Sequence, residues 1–400
     1  MTLSHGCTYL AIPGPSVVPD EVLRAMHRAA PNIYEGDLIK LTDSLIPDLR
    51  AVARTAGKVA IYVANGHGAW EAALANTVAP GDKVLALATG RFGMGWSEMA
   101  DSIGLVPELL DFGKSSPVDP TRLEERLRAD TGHTIKAVLA THTDTSTSVV
   151  NDVAGIRAAI DAAGHPALLM VDCIASMACD RFEMDEWGVD VAVSASQKGL
   201  MLPPGLGFVW FSDKAAHART RLDRVSRYWD WGPRADPDGF YQYFGGTAPT
   251  HHLHGLRTAL DMIMAEGIEA VWARHATLAR AIWAACEAWS DGDGTLRLNI
   301  ADRAYRSHAV TALSLPAPDA DRLRRWTENE AGVTLGIGLG MAEPGSPEAG
   351  GFFRIGHMGH INVPMIMGML GTVEAGFDSL GIPYGAGGLS AAARELGSRA

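Results

Sequence analysis

The sequence predicts an α/β fold. A large domain carries a mostly parallel sheet covered by helices on both faces, and a smaller α+β domain follows it. Three observations lead there. Short, nearly all-apolar runs recur from residue 58 onward. Helical segments with clear start and stop signals separate them. After Gly267 the texture changes, with polar turn chemistry at Ser290-Asp291-Gly292-Asp293-Gly294.

The elements follow in chain order. Residues 1–20 read as an N-terminal arm containing the turn Pro13-Gly14-Pro15-Ser16, residues 21–266 as the large domain and residues 267–400 as the small one. Strands are expected at 58–63, 83–87, 135–140, 167–171, 189–193 and 207–211. A run buried on both faces has no polar alternation, which marks a parallel, doubly covered sheet. One helix starts at Asp119-Pro120, with aspartate as cap and proline in the first turn. Another starts near Asn151-Asp152 and stops at Gly164. In the smaller domain a helix spans 272–289, strands are expected at 308–315 and 352–355, and a helix covers 319–330. The Ala/Gly-rich end from Gly385 is expected to be poorly ordered.

Composition narrows the function. The 400 residues are 47% hydrophobic, enough for a sizeable core. A net charge of −12 argues against a general role on nucleic acid or membrane surfaces. No segment approaches the roughly 18 uninterrupted apolar residues of a membrane span. The first residues lack a basic region followed by an apolar stretch, so no export is expected. Cys7, Cys173, Cys179 and Cys286 are spaced for neither a disulfide framework nor a zinc site, and no metal is expected. The expectation is a reduced, cytoplasmic protein.

In such sheets ligands bind beyond the carboxyl ends of the strands. Asn65–Gly68, Thr141–Thr147, Asp172 and Lys198 all fall at those ends. Lys198, in Ser194-Ala195-Ser196-Gln197-Lys198-Gly199, follows an apolar run and precedes Pro203-Pro204-Gly205. Taken singly, Asp172 reads as a helix cap and Lys198 as a strand cap. Together they are the two groups that pyridoxal phosphate most requires: an amine that condenses with its aldehyde and a carboxylate that pairs with its ring nitrogen. Asn65-Gly66-His67-Gly68, between a strand and a helix, offers backbone N–H groups to an anion. It is not the GxGxxG pattern of a nicotinamide site. Arg354, after Phe352-Phe353, could hold a carboxylate bidentately.

With these motifs the chain resembles the class V aminotransferases of the fold-type I pyridoxal-phosphate enzymes, nearest the serine/alanine–glyoxylate aminotransferases. The similarity runs from Pro13–Ser16 to Arg354–Gly359 and is most specific at Val171–Ser176 and Ser194–Gly207. The resemblance implies a homodimer with shared active sites and assigns roles by position. Gly66 and His67 meet the cofactor phosphate. Phe92, in Gly90-Arg91-Phe92-Gly93, stands where the family usually stacks a tryptophan on the ring. Thr145, in Thr141-His142-Thr143-Asp144-Thr145-Ser146-Thr147, bonds the ring oxygen. Ser176 orients Asp172, while Gln197 and Ser196 add hydrogen bonds nearby. Thr247, in Tyr243-Phe244-Gly245-Gly246-Thr247, reaches the neighbouring subunit's phosphate. Gly14 lies near the substrate, and Arg354 holds its carboxylate. Asp144, Ser148 and Phe244 depart from the usual glutamate, glycine and tyrosine. The segment Asn32–Asp37 departs from a His-Arg-Ser-like stretch.

Two further features read as structural. The basic, aromatic-interleaved stretch Arg219–Arg234 fits a loop at the dimer interface or over the active-site mouth. His251, His252 and His254 fit a helix start better than a metal site. The activity expected is transfer of an amino group from a small amino acid (serine, alanine or aspartate) to a 2-oxo acid such as glyoxylate. The alternative is a lyase or aldolase on the same fold. A desulfurase is disfavoured, because no cysteine lies between Gly332 and Gly351.

Overall fold

The computed structural model describes residues 2–398. Its larger sheet has seven strands in the order β2-β8-β7-β6-β5-β3-β4. These are β2 (Lys58–Ala64), β3 (Lys83–Ala88), β4 (Val106–Asp111), β5 (Ile135–Thr141), β6 (Leu168–Asp172), β7 (Val191–Ala195) and β8 (Gly205–Phe211). β8 runs antiparallel to both β2 and β7, and the other pairings are parallel.

The all-apolar character of these strands has a direct cause. Alternate residues feed separate hydrophobic layers: Val138 and Ala140 of β5 enter one, Ala137 and Leu139 the other. On β6, Leu169 and Val171 face the first layer, Leu168 and Met170 the second. Predicted helix caps also form. Asp119 accepts from the Thr121 N–H at 2.9 Å, and Asp152 from the Gly155 N–H at 2.9 Å.

β4 was not anticipated. It is an edge strand, half exposed and carrying Pro107, so it lacks the apolar signature of its neighbours.

The second sheet is ordered β1-β11-β12-β10-β9, with β1 (Tyr9–Ala11), β9 (Arg297–Leu298), β10 (Val310–Ser314), β11 (Val333–Ile337) and β12 (Phe352–Gly356). The N-terminal segment thus crosses to this sheet, where β1 pairs in parallel with β11. The helix Ile268–Ser290 joins the two cores. Ile268, Val271 and Trp272 pack in the first, and Leu278 through Trp289 in the second.

The C-terminal expectation is corrected. Gly388–Gly397 is a helix, with Ala392 fully buried and Leu389 and Leu396 packed on the cluster around Trp289 and Phe377. Its apolar residues are mostly small, so the one-dimensional pattern is faint. Gly388 is needed for contact, because a Cβ there would lie 2.1 Å from the Trp289 indole nitrogen.

Candidate active site

The carboxyl ends of β2, β5, β6 and β7 converge on a cavity of about 280 Å³. Gly14, Gly66, His67 and Phe92 line it. So do Thr145, Asp172, Gln197 and Lys198. A larger cavity, about 610 Å³, opens at the amino ends of β5 and β6 and holds none of the predicted residues. Ser176, Thr247 and Arg354 do not line the smaller cavity.

Lys198 follows β7 and is 8% exposed. Its ammonium donates to the Pro13 carbonyl and forms no ion pair with a carboxylate among the described residues. Burial, with a smaller contribution from Arg354, pushes this amine down to about 8. Gly14 makes the room. Its φ is +96°, and a Cβ there would lie 2.5 Å from Cδ and Cε of Lys198. Because only the neutral amine attacks an aldehyde, covalent uptake of pyridoxal phosphate by the cofactor-free protein should accelerate about tenfold per pH unit below 8 and level off above it. Stopped-flow absorbance checks this; a rate still climbing at pH 10 would contradict the buried environment.

Asp172 ends β6 and is 3% exposed. Oδ1 accepts from the Ile174 N–H at 2.7 Å and Oδ2 from the Trp70 indole N–H at 3.1 Å. Burial pushes its carboxyl up to about 7, so a cationic partner is needed to hold it fully ionised at neutral pH. The expected contact from Ser176 is not made. That hydroxyl is buried without a hydrogen-bond partner, and the backbone and Trp70 do the orienting.

The helix Gly66–Ala75 begins at the cavity, and Asn65 caps it by accepting from the N–H groups of His67 and Gly68 at 3.1 and 3.3 Å. Gly66 has a packing reason to be glycine: a Cβ would approach Ile174 Cδ1 to 2.3 Å. The His67 ring stands edge-on to Trp70 at 4.7 Å, and its pKa is lowered by burial and then by Arg91.

Asp144 explains itself in place. Its carboxylate reaches across to cap the helix Arg91–Ser102, accepting from the N–H groups of Phe92 and Gly93 at 2.9 and 3.1 Å. The shorter acid therefore fixes the backbone that carries Phe92. Ser148 holds a left-handed φ of +63°, where the family's glycine is unstrained, and its hydroxyl accepts from the Ala312 N–H at 3.2 Å.

Arg354, on β12, is 6% exposed. Nε donates to the Ile337 carbonyl at 2.7 Å and Nη1 to the Thr145 carbonyl at 2.8 Å. It pairs with no carboxylate among the described residues, and burial pushes the guanidinium down to about 10. Its contact with Thr145 sets it at the rim of the cavity.

The remaining predicted residues lie apart. Thr247 is exposed, after a short 3-10 turn at Phe240–Phe244. Phe244 is 1% exposed in the core, and the Tyr243 hydroxyl donates to Asp43 at 2.9 Å, which commits it away from the cavity. Asn32–Gly36 forms a mostly exposed loop, with Tyr34 pointing outward and Ile33 packed on the core, and Asp37 opens the helix Asp37–Ala53. His251, His252 and His254 sit in the first turns of the helix Thr250–Glu266, where their rings meet Arg28 and the Pro204 carbonyl.

Trp70, Ile174 and Pro204 also line the cavity without a role assigned from the sequence, and Asn65 lines it as part of the predicted strand-end turn. Trp70 lies one helical turn after His67, a spacing that puts both on one face.

The donor set fits pyridoxal phosphate. The cavity presents a buried amine free of any carboxylate, an acid that burial leaves in need of a cation, and a Gln197 Oε1 with no partner.

Residues 50–344 match the family model for class-V aminotransferases. The chain is 39% identical to the serine–glyoxylate aminotransferase of Methylorubrum extorquens, over 99% of this chain and 97% of that protein. It is 38% identical to the L-aspartate–glyoxylate aminotransferase of Paracoccus denitrificans, over 96% and 94%. The crystal structure of pyridoxamine–pyruvate aminotransferase from Mesorhizobium loti superposes with a TM-score of 0.86 at 26% identity, covering 99% of both chains. An amine and an acid at adjacent strand ends, on this fold and at this depth of similarity, make the chain a member of the class-V aminotransferases, enzymes that work with pyridoxal phosphate.

Proposed function

We propose that the chain moves an amino group from a small amino acid to glyoxylate. One observation carries this reading: Lys198 and Asp172 share a single cavity, with Arg354 held at its rim through Thr145. The relatives' names supply glyoxylate as acceptor and serine or aspartate as donor.

Bound pyridoxal phosphate supplies the electron sink that makes the substrate Cα–H acidic. Lys198 would take and carry the proton of the substrate Cα, a role suited to an amine partly neutral near neutral pH. Asp172 holds the ring nitrogen protonated. Arg354 binds the α-carboxylate, as its lack of an internal carboxylate partner suits, and Gly14 leaves Lys198 its space. Gly66 and His67 serve the phosphate, Phe92 lies against the ring, Thr145 bonds the ring oxygen, and Gln197 adds a polar contact. Ser176 supports the loop after Asp172.

The working protein is a cytoplasmic homodimer in this reading. Thr247 is exposed and does not line its own cavity, as a residue serving a partner would not. Among the described residues no helix is long and apolar enough to cross a membrane. Light scattering should find a dimer, and Thr247→Ala should lower cofactor affinity about tenfold, the usual size for one contact to a charged group. A fully active monomer would refute the shared site.

The direct test is a half-reaction screen. Each amino acid is added to the cofactor-loaded protein, and the visible absorbance and the 2-oxo acid formed are followed together. Stoichiometric 2-oxo acid with no carbon–carbon cleavage product supports transamination; cleavage products would favour a lyase.

A further inference from the structure

We infer that Trp70 is a positioning residue for Asp172, its indole N–H setting how firmly the site holds a protonated ring nitrogen. The inference rests on the proposed role of Asp172 and extends it to a side chain with no assigned part.

Asp172 receives one neutral donor on each oxygen. The Ile174 N–H, at 2.7 Å, is backbone and belongs to the turn itself. The Trp70 indole, at 3.1 Å, is the only side-chain donor to this carboxylate among the described residues. Both residues are buried, Trp70 to 1% and Asp172 to 3% exposure. In such surroundings a hydrogen bond to a carboxylate is stronger than in water, and its loss is not made up by solvent.

The indole is also unable to turn away. Trp96 stacks on it at 5.8 Å and 14°, while His67 and Phe92 stand edge-on at 4.7 and 6.3 Å. Trp96 leaves its own indole N–H buried and unpaired, so the stacked pair spends its one satisfied N–H on Asp172. The same indole thus touches His67, Phe92 and Asp172, all of which line the cavity. A single rigid side chain ties the ring-nitrogen end of the site to the phosphate end.

The test is a double-mutant cycle on the dimer with pyridoxal phosphate as probe. Trp70→Phe keeps most of the apolar volume and deletes the N–H. In the wild-type background it should weaken cofactor binding about tenfold, the scale of one hydrogen bond to a charged group. It should also shift the pH midpoint of the cofactor's visible band. In the Asp172→Asn background the same change should cost less than about twofold, since coupled residues are non-additive. Unchanged affinity and band, or equal losses in both backgrounds, would overturn the inference and leave Trp70 a packing residue. Asp172→Asn binding as tightly as wild type would instead refute the role of Asp172.

Should Trp70→Phe fail to fold, indole ¹H–¹⁵N spectra of the wild type and Asp172→Asn decide the question. Of the ten tryptophans, one N–H resonance should move strongly upfield when the carboxylate is replaced. A superimposable set would sink the proposal.

Discussion

Lys198→Ala is expected to abolish covalent capture of pyridoxal phosphate and to cut turnover by about 10²–10⁴-fold, the contribution of a positioned acid–base group. The fold should survive. The Lys198 ammonium makes one hydrogen bond, to the Pro13 carbonyl, and its charge is desolvated without an ion-pair partner among the described residues, so its removal relieves as much as it costs. Borohydride reduction followed by intact-mass measurement should show the cofactor adduct on the wild type and none on the variant. An adduct of the same mass on Lys198→Ala would place the reactive amine elsewhere. Circular dichroism of both proteins separates loss of chemistry from loss of structure.

Arg354→Ala should damage carboxylate-bearing substrates far more than it damages cofactor binding. Losing a charge-assisted, bidentate contact costs about 2–4 kcal/mol, or roughly two to three decades in kcat/KM for each half-reaction. Amino donor and glyoxylate should suffer together, because both present the same carboxylate. A simple amine without one should react at nearly its wild-type rate. The variant also loses the links to the Ile337 and Thr145 carbonyls, which tie the second sheet to the loop beyond β5. Arg354→Lys therefore makes a useful companion, since it keeps the charge and loses the planar fork. Equal losses for amine and amino acid would mean that the arginine supports this junction and does not read the substrate.

Much of the site was legible because its chemistry is local. A strand buried on both faces must be apolar throughout, so β2, β3, β5, β6 and β7 announced themselves, and so did the strand ends where Asn65, Asp172 and Lys198 sit. Caps are equally local, since Asp119 and Asp152 need only the next few residues to do their work.

What the sequence by itself determined is the sheet's apolar strands, the end at which the ligand binds, and the amine and acid placed there. Tertiary structure alone decided the rest, because those features depend on partners far away in the chain. β4 tolerates Pro107 only because it is an edge, and β1 finds its neighbour more than three hundred residues later. Gly14 is required by a lysine side chain that folding brings against it, and the C-terminal helix by the groove beside Trp289. Trp70 reads as one more core aromatic until packing turns its single N–H onto Asp172. Side-chain direction at a distance is set by the sum of many weak contacts, and no short window of sequence contains that sum.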